Sequence, residues 1–148
     1  MRILLLTAVL PVVLGRTAAA QVTTITRSGN PAAMTITAAV AGSDPTSVSN
    51  SATTYSTQNV QNGQPQKITG KLNANMPAGV TLTCSLAVGA QATSVGAVAL
   101  DVTARNLVIN INADQTARTI TYQLSALASA GVIASQTRTV TFTIANYP

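Results

Sequence analysis

The chain has 148 residues, eight of them basic and three acidic, with no His, Trp or Glu. General acid–base chemistry near neutral pH rests mostly on His or a tuned carboxylate, and a hydrolytic triad needs a base beside its nucleophile, so this composition argues against an enzyme. One Cys and three scattered Asp offer no metal-ligand spacing, and the basic residues form no cluster, so neither a metal or other cofactor nor a nucleic-acid partner is expected.

The first residues read as an export signal. Arg2 precedes an apolar run from Ile3 to Leu14, and the small residues Ala18 and Ala20 fit an A-x-A cleavage site before Gln21. The run is too short to span a bilayer comfortably, and no later segment is apolar for long enough. The expected organisation is therefore a signal peptide over residues 1–20 and a single all-β domain over residues 21–148, with no transmembrane segment after cleavage. Six basic residues (Arg27, Lys67, Lys71, Arg105, Arg118 and Arg138) then face three acids, a net +3 spread thinly over the domain.

From Val22 onward, apolar residues recur at every second position with Thr or Ser between them, the pattern of strands buried on one face. Weaker candidates come first, near Val22 to Thr26, Met34 to Val40 and Thr53 to Thr57. Clearer ones follow: Ile68, Gly70 and Leu72; then Val80, Leu82, Cys84, Leu86 and Val88; then Val98, Leu100 and Val102. Leu107, Ile109 and Ile111 form the next, and Ile120, Tyr122 and Leu124 the one after. Val140, Phe142 and Ile144 complete the series. Turn signals separate the runs at Gly42, Gln61, Asn73, Gly89, Gly96, Asn112 and Gly131. Short strands at this spacing predict an antiparallel Ig-like (Greek-key) β-sandwich of about seven to nine strands. Ala-rich Ser125 to Ser135 is the one stretch where a helical turn competes.

Ile68 to Val80, "ITGKLNANMPAGV", returns as Ile120 to Val132, "ITYQLSALASAGV", with seven of thirteen positions identical. Each copy reads as a strand, a connector and the start of the next strand. The pair predicts equivalent hairpins, one in each sheet, with Gly79 and Gly131 both at the start of a strand.

Cys84 shares parity with Leu82 and Leu86 and is expected in the core; with no second Cys, its other expected role is an intermolecular contact. Among the four aromatics, Tyr122 and Phe142 have inward parity, which leaves Tyr55 and Tyr147 as candidates for contact with a partner or a glycan. The intervening Thr residues suit exposed strand faces. They also offer uncharged surfaces for packing between subunits, while their unequal spacing is unlike a regular ice-binding array.

The export signal, the Thr/Ala/Gly/Val-rich β-domain and the closing "TVTFTIANYP" resemble bacterial pilus or fimbrial subunits of the chaperone–usher kind. Val140, Phe142 and Ile144 match the alternation of the terminal assembly strand in that family, and Tyr147 matches its penultimate aromatic. The resemblance implies an incomplete Ig-like sandwich completed by a strand from a neighbour, with passage through a bacterial periplasm to the cell surface or the extracellular space. The expected function is that of a non-enzymatic secreted structural protein, a subunit of a cell-surface fibre or extracellular matrix. Its partner would be another copy or a cell-surface component. The alternative is a secreted binding module for a glycan or surface polymer, using Tyr55, Tyr147 and the connecting loops.

Overall fold

A computed structural model describes residues 22–37, 42–61 and 63–148. The expected signal peptide lies outside the described residues. Nine strands occur among them: β1 (Thr24–Arg27), β2 (Val48–Gln58), β3 (Gln66–Leu72), β4 (Val80–Leu86), β5 (Thr93–Ser94), β6 (Val98–Ala99), β7 (Arg105–Ile111), β8 (Arg118–Ala126) and β9 (Val140–Asn146). All pairings are antiparallel. One sheet runs β1-β2-β8-β4-β6 and the other β5-β7-β3-β9.

The core lies between the sheets and comes from the alternation. Ile68 and Leu72 from β3, Leu82, Cys84 and Leu86 from β4, and Ile120 and Tyr122 from β8 are all buried, while Lys71, Thr81 and Gln123 on the opposite faces are exposed. Gly70 occupies an inward position because Leu107 needs the room: a Cβ there would sit 2.7 Å from Leu107 Cδ1. The Ala-rich stretch stays extended through Ala126 and then makes one 3-10 turn, Ala128–Ala130.

In the immunoglobulin layout one sheet is ordered A-B-E-D and the other C-F-G. Here β3, β7 and β5 take the B, E and D positions, and β4 and β8 take C and F. The chain ends depart from that layout. The A position, beside β3, holds the C-terminal β9, and the G position, beside β8, holds the N-terminal β2. A strand of this same chain thus fills the place beside β8.

Three expectations change. Strict alternation over Leu107, Ile109 and Ile111 gives way to burial of Leu107, Val108 and Ile111, because the β3–β7 register shifts on either side of Ile68 and re-aims the intervening side chains. The run Val98, Leu100, Val102 is a strand only as far as Ala99. The chain then bends at Asp101, whose carboxylate accepts a hydrogen bond from Thr103 N at 2.7 Å, and Val102 is left 48% exposed. Residues 34–37 are not a strand, and 38–41 lie outside the described residues.

The repeat is also corrected. β3 and β4 lie in different sheets, as do β8 and β9, so each copy is an arch between sheets and not a hairpin. Because β3 pairs with β9 and β4 with β8, the two arches stand side by side. Gly79, at φ 76°, directly precedes β4 as expected, whereas Gly131, at φ 66°, follows the 3-10 turn and β9 starts only at Val140. The two connectors touch: a Cβ on Gly79 would lie 2.9 Å from that of Ala130, and Leu127 N donates to Gly79 O at 2.8 Å. Close approach at this contact requires small residues in both copies.

Candidate functional site

Strand β9 is the outer strand of its sheet and pairs only with β3. Its seven residues keep an unbroken register from Leu72↔Val140 to Gln66↔Asn146. Beyond its two ends, Asn73 N donates to Thr139 O at 3.1 Å and Tyr147 N donates to Pro65 O at 2.8 Å. In an antiparallel ladder the backbone groups of successive residues point alternately toward and away from the neighbour. Thr139, Thr141, Thr143, Ala145 and Tyr147 therefore bond toward β3, and the N–H and C=O groups of Val140, Phe142 and Ile144 point outward. No strand among the described residues pairs with that side.

The same three residues aim their side chains between the sheets. Val140, Phe142 and Ile144 pack against the core cluster yet stay only half-buried; no strand among the described residues pairs beside them, although β1 runs close to β9. Thr141 and Thr143 on the outer face are exposed, and β9 carries no charged residue. An added strand would find free ladder groups and an apolar row in register with them.

Tyr147 lies just past β9, half-buried, with Lys67 Nζ 6.0 Å from its ring centroid, at the limit of a cation–π contact. Its backbone N–H, bonded to Pro65 O, holds it beside the segment that leads into β3. Of the expected site residues, the structure thus brings Val140, Phe142, Ile144 and Tyr147 to one edge. It removes the other two. Tyr55 is 1% exposed and donates its hydroxyl to Ala87 O at 2.9 Å, and Cys84 is wholly buried between β8 and β6. Neither is placed to touch a partner or a glycan. Burial also raises both acid pKa values, from 10.0 to about 12 for Tyr55, against the opposing pull of the Arg118 guanidinium, and from 9.0 to about 12 for Cys84. At neutral pH the thiol is protonated as well as inaccessible, so disulfide exchange is blocked.

Two buried amides escaped the sequence reading. Gln115, in the loop before β8, is fully buried; its Oε1 accepts from Gly89 N at 2.7 Å, and its Nε2 donates to Ala90 O and Ala113 O. It ties that loop to the one after β4, and no periodicity marks a loop residue. Gln66 is 6% exposed. It stands two positions before Ile68, so extending the β3 alternation backwards would have found it.

Among the described residues no group of three or more His, Cys, Asp or Glu is placed to hold a metal, and no helix is long and apolar enough to cross a membrane. Compared with protein-family models, with curated proteins and with solved structures, the chain matches none.

Proposed function

We propose that this is a non-enzymatic structural protein, exported from the cell, that assembles through its β-strand edges as a subunit of a cell-surface fibre or extracellular matrix. The observation that carries the reading is β9. Soluble β-proteins blunt exposed edges with charges, Pro, bulges or very short strands. Three edges of this sandwich follow that rule, since β5 and β6 are two residues each, and β1 has four residues ending in Arg27. β9 has seven residues with none of these devices, and its half-buried apolar row gains burial when a strand is added. Strand addition of this kind takes affinity from main-chain bonds and specificity from alternate side chains.

Sedimentation and electron microscopy of the chain from Gln21 onward test this. Concentration-dependent oligomers or filaments are expected, unaffected by reductant because Cys84 is buried. Thr141→Lys with Thr143→Lys places two charges along the edge and should abolish association. A wild-type chain that stays monomeric at high concentration, or a double variant that assembles equally well, contradicts the reading.

A further inference from the structure

Four strands lie at the edges of the two sheets, β1 and β6 in one, β5 and β9 in the other. They differ in what they offer an incoming strand. In an antiparallel ladder every second residue exchanges two bonds with its partner, so a pairing gains about one bond per residue of the shorter strand. β5 and β6, two residues each, therefore offer about two bonds, and β1, with four residues, about four. β9 has seven residues, and by the alternation described above Asn146 turns its backbone outward together with Val140, Phe142 and Ile144. β1 runs close to β9 but belongs to the other sheet and bonds to β2. Among the described residues, the edge that matches β9 best is β9 itself.

The four outward residues are symmetric about Thr143. Turned end for end, a second β9 sets Val140 against Asn146 and Phe142 against Ile144, twice over, so that all four find partners and about eight bonds form. The neighbouring registers that keep outward groups face to face slip by two residues and leave one residue of each strand unmatched. Side chains agree with the symmetric register. On the inner face Phe142 meets Ile144 of the second copy, an aromatic and β-branched pair of the kind that stabilises sheets. On the outer face Thr143 meets Thr143, extending a row that already sets Thr143 beside Thr69. A twofold axis duplicates every charge, and β9 carries none. On the adjacent strand, Lys71 lies beside Thr141 and Lys67 beside Ala145, which puts Lys71 of one copy and Lys67 of the other three strand spacings apart. That is about 14 Å, past the Debye length of about 8 Å, so the cations do not oppose pairing.

We propose that β9 pairs antiparallel with β9 of a second copy about a twofold axis at Thr143, joining two four-stranded sheets into one continuous sheet. The proposal rests on assembly through β9 and adds the partner strand, its direction and its register. One edge against one edge falls among small interfaces, under about 1,200 Å², so the pair is weak, with a Kd on the order of 10–100 µM, and forms where copies are crowded. The twofold closes this edge, so a fibre or matrix grows from such pairs through another surface.

Cysteine cross-linking on the chain from Gln21 onward tests the register, with oxidised glutathione as the oxidant and non-reducing electrophoresis as the readout. Thr141, Thr143 and Ala145 are exposed, so substitution there keeps the fold. At the axis, position 143 faces its own image as a non-hydrogen-bonded pair with Cα atoms about 4.5 Å apart, inside the disulfide range of about 4.4–6.8 Å. Position 141 faces position 145 of the second copy and lies about 14 Å from its own image. Thr143→Cys should therefore become a covalent dimer about tenfold or more faster than Thr141→Cys or Ala145→Cys alone. An equal mixture of those two should cross-link at close to the Thr143→Cys rate, and the parent, whose Cys84 is buried, should not cross-link. Sedimentation of the parent separates the two levels of the argument. Association in which Thr143→Cys cross-links no faster than Thr141→Cys, or not at all, overturns the twofold register and leaves edge assembly standing. A parent that stays monomeric at millimolar concentration overturns both.

Discussion

The outer edge of β4 and the outer edge of β9 begin alike and end differently. Both strands have seven residues, an alternating apolar row and Thr on the opposite face. In β4, whose bonds to β8 lie at the odd-numbered residues, the outward groups are met by connecting chain. Val80 N donates to Pro77 O, Leu82 O accepts from Leu100 N, Cys84 lies opposite Val98 of β6, and Leu86 O accepts from Ser94 Oγ. In β9 the outward groups of Val140, Phe142 and Ile144 pair with no strand among the described residues. Leu82 and Leu86 are accordingly buried where Phe142 and Ile144 are half-buried. The lesson is that a turn carbonyl, a two-residue strand with the residue just beyond it, and one hydroxyl suffice to close an edge, whereas among the described residues nothing pairs with the matching side of β9.

The largest effect sets the conditions for comparing the two edges. Cys84, Tyr55 and Tyr122 all hold their protons to about pH 12, against ordinary values of 9.0 for the thiol and 10.0 for the phenols, chiefly because they are buried. The folded chain then keeps protons that the unfolded chain releases, so stability is fully present below pH 9 and falls progressively as pH rises toward 12. Denaturant midpoints measured from pH 7 to 11 should show a plateau and then a decline. A flat profile would mean that these side chains reach water. β9 has no titratable side chain, so association through it should be constant across the plateau.

Truncations come next. Leu82→Ala should cost about 2–5 kcal/mol by the usual range for buried Leu, and Phe142→Ala about 1–2 kcal/mol because much of its ring already meets water. Equal losses by denaturant titration at low concentration would show that β9 is covered in the isolated chain, which would erase the contrast. Ser94→Ala removes the cap on Leu86 O and should cost about 1–3 kcal/mol, the penalty for an unpaired buried group. A neutral result would leave the closure of β4 to β6 alone.

The smallest energies carry the sharpest distinction. Thr141→Lys and Thr143→Lys should each change monomer stability by no more than about 0.5 kcal/mol, as surface substitutions do, while removing association. Amide exchange resolves the same point by residue. The Val140, Phe142 and Ile144 amides should exchange fast in the monomer and those of Thr141, Thr143 and Ala145 slowly, and the first set should become protected on assembly. Slow exchange of all six in a monomer would contradict an open edge.

Alternation alone was enough to make this an antiparallel all-β sandwich and to name much of its core: Ile68 and Leu72, Leu82 with Cys84 and Leu86, Ile120 with Tyr122. It works because the side-chain period of a strand reports which face is buried. It also put Val140, Phe142, Ile144 and Tyr147 together, since neighbours in the chain share an edge. Neighbours in the sheet were not legible. The pairing of β9 with β3, the placing of β2 beside β8 and the arch geometry of the repeat depend on how strands order themselves, on which a strand's own residues are silent. Tyr55 shows the same limit, because its exposure turned on β2 being an inner strand flanked by β1 and β8. So does Val108, buried by a register shift that breaks the period. Whether a backbone N–H meets a partner is a property of two segments at once, and for that reason only the tertiary structure decided which edge of this protein is closed and which is open.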